Sequence, residues 1–241
     1  MLFRSLDLIF LYDDHDDSAQ EIYARLAQRI SRWLTSRTAA GVLFDIDLRL
    51  RPSGESGLLV SSIEAFKRYQ RESAWTWEHQ ALTRARCCAG DAELGAAFEE
   101  ERNAILRIER DPAKLREDVL SMRAQLLEGH PNPTELFDLK HDRGGMIDIE
   151  FMVQYLVLGN AHRHPELTRN AGNIALLRLA AQLGLVSRES AEAVGDAYRD
   201  YRRRQHWLRL NGAKYARIPA DEVEGWIRAT LELWTQVLGA A

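Results

Sequence analysis

The sequence predicts an α+β chain that is mostly helical, with a small sheet unit first and a long all-helical section after it. Three observations carry this expectation. Two strand-like runs, Leu6 to Asp14 and Gly41 to Arg51, flank one amphipathic stretch. Beyond Gly57, apolar residues recur at helical spacing almost to the C-terminus. Proline, glycine and serine fall at the ends of those helical stretches, where starts and stops belong.

The elements follow in order. Leu6 to Asp14 reads as one buried strand ending in acids. Ser18, with Glu21 three positions later, has capping-box spacing. Ile22, Leu26, Ile30 and Leu34 then recur every four residues and predict a helix that buries this stripe. Gly41 opens the second strand, and Pro52, Ser53 and Gly54 end it. Strand, helix, strand suits a right-handed crossover between parallel strands. Helices are expected over 62–72, 75–87, 92–107, 112–128, 145–160, 173–183, 188–210 and 220–238. Pro112 fits a first helical turn, Gly184 a C-terminal stop and Ser187 the next N-cap. His130 to Pro133, "HPNP", is the best linker candidate.

Bulk properties narrow the function. A chain of 241 residues can bury one sizeable core or two modest ones. It is 46% hydrophobic and 28% charged, with a formal net charge of -4, which argues against a nucleic-acid coat or a membrane-surface protein. No apolar run is long enough to span a bilayer. Asp7 interrupts the apolar opening, and acids stand where a signal peptide would need small residues for cleavage. The two cysteines, Cys87 and Cys88, are adjacent, so a reduced, cytoplasmic protein is expected. Neither C-x-x-C nor H-x-x-x-H spacing is present to hold zinc.

Four stretches invite chemistry. In "FDIDLRLR" the residues Phe44, Ile46, Leu48 and Leu50 fall on one face, and Asp45, Asp47, Arg49 and Arg51 on the other. That charged face is either solvated surface or an anion-handling site, where carboxylates hold a divalent cation and arginines grip phosphate. If the two strands are neighbours, Asp7 and Asp47 converge as two-metal phosphoryl chemistry requires. "WTWEHQALTRAR" carries Trp75 and Trp77, which read as core, and His79, which reads as a satisfied structural histidine. One of Arg84 and Arg86 should have a fixed anionic partner.

"DLKHDRGGMIDIEFMVQYLVL" has a glycine turn at Gly144 and Gly145, then a helix apolar nearly all round that belongs in an interior. Asp148 and Glu150 there serve either capping and salt bridges or, with Lys140, the border of a nucleotide or partner site. "YRRRQHWLRL" reads as a solvated, salt-bridged helix face rather than an RNA patch.

Taken in this order, "SLDLIFLYD", "FDIDLRLRPSGESGLLVSS", "WTWEHQALTRAR" and "DLKHDRGGMIDIEFMVQYLVL" resemble the C-terminal, adenylyl-transferring half of the bifunctional glutamine synthetase adenylyltransferase/deadenylylase family. The resemblance runs through nearly the whole chain. It implies a nucleotidyltransferase core of the DNA polymerase β type, followed by a helical bundle. By this reading residues 1–110 form the core, without its N-terminal glycine-rich segment, and residues 111–241 form the bundle.

The resemblance also implies Mg²⁺ and ATP, transfer of AMP to a tyrosine of glutamine synthetase, and regulation through the PII signal protein. It makes Asp7 and Asp47 the catalytic metal ligands and Arg49 and Arg51 the phosphate contacts. Position 5, where the family has a first metal-binding acid, is Ser5 here. The G-x-x-K-x-G segment is also absent upstream, so a truncated chain of impaired activity is expected, or a silent piece that docks on glutamine synthetase or a PII-type regulator. Uridylylation of the PII protein, which uses a related core, is disfavoured by the W-T-W-E-H-Q form.

Overall fold

The computed structural model describes residues 5–39, 41–42 and 44–239. The N-terminal elements are β1 (Ser5–Asp7), β2 (Phe10–Tyr12), α1 (Ala19–Thr35), β3 (Arg37–Thr38), β4 (Gly41–Val42), β5 (Asp45–Asp47) and β6 (Val60–Ser62). Helices α2 (Ile63–Glu72), α3 (Thr76–Leu82), α4 (Ala92–Leu106) and α5 (Pro112–Glu128) follow. The rest is β7 (Phe137–Asp138), α6 (Met146–Asn160), α7 (Asn173–Gln182), α8 (Arg188–Leu210), β8 (Arg217–Ile218) and α9 (Glu224–Leu238). The chain is mostly helical, with its parallel strand pairs near the start, as the sequence predicts. Among the described residues no helix is long and apolar enough to cross a membrane.

These residues fall into two compact units. The first runs to Ala81 and includes Ala85–Ile105; the second holds Leu82–Arg84 and the chain from Leu106 onward.

In the first unit β1 pairs with β5 and β2 with β6, both parallel, so strand, helix, strand is realised as expected. The first strand is broken, however. Leu8 and Ile9 separate β1 from β2, and the run is half-buried rather than buried. The Leu8 N–H turns to the Asp47 carbonyl, and the chain then crosses to a different partner strand.

Helix α1 departs further. Its buried residues are Ala19 and Ala27, while Ile22 is 55% and Leu26 49% exposed. The helix lies on β5 and β6, and those strands are three residues long, so they cover only the narrow alanine stripe. Nor does the capping box form. The Ser18 hydroxyl donates to Asp16, and Glu21 pairs with Arg25.

Local signals place the later helices well. Ser62, Asp111 and Ser187 each accept a backbone N–H with the side-chain oxygen, at the starts of α2, α5 and α8. Gly184 takes φ +73° just past α7, the left-handed value glycine tolerates. Pro112 opens α5.

In the second unit α6 is the central helix. It packs against α5, α7, α8 and α9, and it buries nine residues, from Met146 to Leu158. A helix apolar all round cannot lie on a surface, so its neighbours must enclose it. "HPNP" is not an inter-domain linker. It lies within this unit between α5 and β7, where Asn132 donates to the Leu136 carbonyl and to Asp142.

Candidate active site

The parallel register of β1 and β5 sets Ser5 beside Asp45, Leu6 beside Ile46 and Asp7 beside Asp47. Side chains at paired positions of neighbouring strands project from the same face. Asp7 and Asp47, forty residues apart in sequence, therefore share one face. Asp7 is exposed. The Asp47 side chain is 20% exposed and accepts the Arg49 backbone N–H at 2.9 Å and Arg49 Nε at 2.9 and 3.0 Å. The Arg49 hydrogen bond holds the Asp47 carboxyl below its ordinary pKa, so it stays ionised. In return Asp47, and the more distant charges of Glu55 and Asp7, push the Arg49 guanidinium upward.

The charged face of the predicted strand does not continue as far as Arg51. Strand β5 ends at Asp47, and the chain turns at Arg49 and Leu50. Arg51 folds back: Nη1 donates to the Leu48 carbonyl at 2.8 Å, Nη2 to that of Glu55 at 3.0 Å and Nε to that of Gly57 at 3.3 Å. A turn closed over so few residues leaves carbonyls unpaired, and a guanidinium with donors on every nitrogen satisfies them. Periodicity alone could not show this.

The donor set suits a hard cation. Carboxylate oxygens are Mg²⁺ ligands, and Mg²⁺ is typically held by one or two carboxylates, substrate phosphates and water. Asp7 and Asp47 offer two carboxylates on one strand face. Among the described residues no group of three or more His, Cys, Asp or Glu is arranged to hold a metal.

In "WTWEHQ" the chemistry is architectural. Glu78 is only 4% exposed and accepts the Trp75 backbone N–H at 2.9 Å and the Tyr69 hydroxyl at 3.0 and 3.1 Å. His79 Nε2 sits 2.9 Å from the Gln70 carbonyl, a satisfied histidine as expected. Trp75 is 69% exposed, against the core reading. Helix α3 begins one residue after it, so Trp75 stands outside the helical face that its spacing assigned to it.

The "DLKHDRGG" stretch resolves toward structure. Asp148 is fully buried; its carboxylate accepts Arg123 Nε at 2.5 Å and, on the other oxygen, the Gly144 backbone N–H at 2.7 Å. Gly144 has φ +86°, and a Cβ there would stand 2.9 Å from Ile227 Cγ2. Burial alone would raise the Asp138 pKa. Hydrogen bonds from the His141 side chain and from the His141 and Lys140 backbone outweigh it and hold the carboxyl well below the usual range. Glu150 accepts the Tyr198 hydroxyl at 2.8 Å and lies 3.6 Å from Arg84, the anionic partner expected for one of the two arginines. Two arginines of this stretch of α8 are salt-bridged: Arg203 and Arg204 with Asp200, and Arg204 also with Glu222.

Parallel strand pairs at the start with helices following match an incomplete nucleotidyltransferase-like core and a helical section. Comparison with known proteins narrows this. The family model for glutamate-ammonia ligase adenylyltransferase matches residues 3–101, and that for GlnD PII-uridylyltransferase matches residues 115–232. The chain is 58% identical over 236 residues to the bifunctional glutamine synthetase adenylyltransferase/adenylyl-removing enzyme of Aromatoleum aromaticum, covering 98% of this chain and 25% of that one. It is 58% identical over 241 residues to the enzyme of the same name from Burkholderia mallei, covering 98% and 26%. For that of Ralstonia nicotianae the identity is 59% over 239 residues, covering 98% and 25%. The chain belongs to the bifunctional glutamine synthetase adenylyltransferase/adenylyl-removing enzyme family. It spans about a quarter of the length of the curated relatives it matches.

Proposed function

We propose that this chain carries part of the adenylyl-transfer site, which moves AMP from ATP to a tyrosine hydroxyl of glutamine synthetase. The observation that supports this best is the register that pairs Asp7 with Asp47 on one strand face, in a chain 58% identical to enzymes named for this activity. Asp7 and Asp47 are the residues that would hold Mg²⁺, which when bound supplies positive charge to the triphosphate and lowers the pKa of an attacking hydroxyl. Arg49, 70% exposed at its side chain beside Asp47, is free to swing toward phosphate oxygens and offset charge that develops on them. In the transfer the tyrosine oxygen bonds to the α-phosphorus. The bond from that phosphorus to pyrophosphate breaks, and the hydroxyl proton leaves to solvent. Arg51, a phosphate contact by the family resemblance, contributes through the turn that presents Arg49. The partners in this reading are glutamine synthetase as acceptor and the PII signal protein as regulator.

A second reading has its own support. Ser5 stands at the register position beside Asp45, where the resemblance calls for a metal-binding acid. A chain with two carboxylates instead of three could be a silent piece that docks on glutamine synthetase or a PII-type regulator.

Transfer of label from α-³²P-ATP to purified glutamine synthetase, with Mg²⁺ and this chain, separates the two. Label that disappears in Asp47→Ala upholds the transferase. No label, together with retained co-migration with glutamine synthetase, upholds the docking piece.

A further inference from the structure

Helix α1 turns an apolar face to solvent. Ile22 is 55%, Leu26 49% and Trp33 68% exposed, and exposed Arg29 stands among them. Spacings of four, three and four residues put these four side chains on one side of a helix. Ala27, which α1 buries, lies on another side. The stripe runs over about 16 Å of helix. Contiguous apolar groups rimmed by charge mark a contact face, whereas scattered ones do not.

The charges around the stripe are sorted by sign. From Asp13 to Glu21 the chain has five carboxylates, at 13, 14, 16, 17 and 21, and no lysine or arginine. From Arg25 to Arg37 it has four arginines, at 25, 29, 32 and 37, and no acid. All nine residues are exposed. The acidic end is held in place. Asp14 accepts the Tyr23 hydroxyl at 3.2 Å and the Asp16 N–H at 3.0 Å, and Asp16 accepts the Ser18 N–H at 2.8 Å. At the basic end Arg25 pairs with Glu21, while Arg29, Arg32 and Arg37 have no ion-pair partner among the described residues. The helix dipole favours this order of signs. It gives no reason for leaving Ile22, Leu26 and Trp33 in water.

We propose that α1 is a self-association surface whose occupant is α1 of a second copy of this chain, running antiparallel. A two-fold axis near Ala27 and Gln28 brings Ile22 of one copy to Trp33 of the other and buries both stripes. The same rotation carries Asp17 and Glu21 of each copy to the end where the other has Arg32 and Arg37. Every charge contact is then made twice, with unlike signs. A parallel pair would set acid against acid and arginine against arginine. Tryptophan and arginine, the residues on this face, are the types enriched at protein interfaces. One helix face is small for an interface, so the association is weak and depends on concentration. This pairing is independent of the adenylyl-transfer reading.

Sedimentation velocity of the full 241-residue chain across a concentration series tests it. Wild type should pass from monomer to dimer and stop there, as closed two-fold pairing requires. High salt should weaken the dimer about tenfold by screening. Leu26→Asp should abolish it with an unchanged circular dichroism spectrum, since Leu26 is half-exposed and outside the core. Arg32→Glu with Arg37→Glu should weaken self-association about tenfold or more, and so should Asp17→Lys with Glu21→Lys in a separate chain. Mixed in equal amounts, those two variants should form a dimer at least as tight as that of wild type, because both ends then join unlike charges. A wild-type chain that stays monomeric throughout would overturn the proposal, even if a different protein co-purified on the stripe. So would growth beyond the dimer, which marks indiscriminate sticking of apolar groups. Charge-reversed variants that associate as wild type does, or a mixture of them that stays monomeric, would overturn it as well.

Discussion

Two aspartate–arginine pairs carry opposite meanings in this molecule. Asp47 and Arg49 are two residues apart, at the open end of a short strand, and the arginine side chain is 70% exposed. Asp148 and Arg123 are 25 residues apart, and their side chains are 0% and 2% exposed. The first pair can open toward a ligand at little cost, because water replaces each partner. The second cannot, because opening it would strand a charge in a low-dielectric interior. Identical functional groups thus serve as a ligand-ready edge in one unit and a structural knot in the other. The deciding variable is desolvation.

The largest predicted effect tests the knot. Arg123→Ala removes the 2.5 Å cation from buried Asp148 and leaves only Arg143 at 3.8 Å, which should cost about 3–5 kcal/mol, read as a lower urea midpoint of the transition that includes α6. A loss under 1 kcal/mol would erase the contrast. Gly144→Ala comes next. It meets positive φ and the Ile227 side chain at 2.9 Å, and about 1–3 kcal/mol should be lost in the same transition.

Asp138 sharpens the comparison through pH. Its folded pKa lies below its unfolded value, so its stabilisation is full above the ordinary carboxylate range and fades as pH falls through the folded pKa. The stability difference between wild type and Asp138→Asn should therefore be flat from neutral pH down to about 5 and shrink on further acidification. A difference that grows with acid would reverse the sign argued here.

Arg49→Ala should have the smallest effect on stability, under about 1 kcal/mol. It should nevertheless remove most label transfer to glutamine synthetase and shrink the thermal stabilisation by Mg²⁺ with ATP. If Arg49→Ala unfolds the chain, the edge is as structural as the knot.

Much of the molecule was legible beforehand wherever the signal was local. The capping side chain of Ser187, Pro112 in a first turn and Gly184 past a helix end act through neighbours a few residues away. The interior placement of α6 was legible too, since an all-round apolar helix admits one environment. The readings that failed depended on which surface meets which. Ile22 and Leu26 have the spacing of a buried stripe, but the sheet beneath α1 is too small to cover them. Trp75 lies outside α3 because that helix starts at Thr76. Arg51 shares a strand face with Asp47 only while the strand continues, and it stops at Asp47.

The sequence by itself determined the order of the helices, most of their ends, the strand–helix–strand opening and the residues eligible for metal and phosphate. Periodicity and turn chemistry act over a few residues and are written directly in the chain. Only the tertiary structure decided that Asp7 stands opposite Asp47 and that Arg51 turns back on three carbonyls. Those outcomes depend on strand register and on partners remote in sequence, where a shift of one residue would send each side chain to the opposite face.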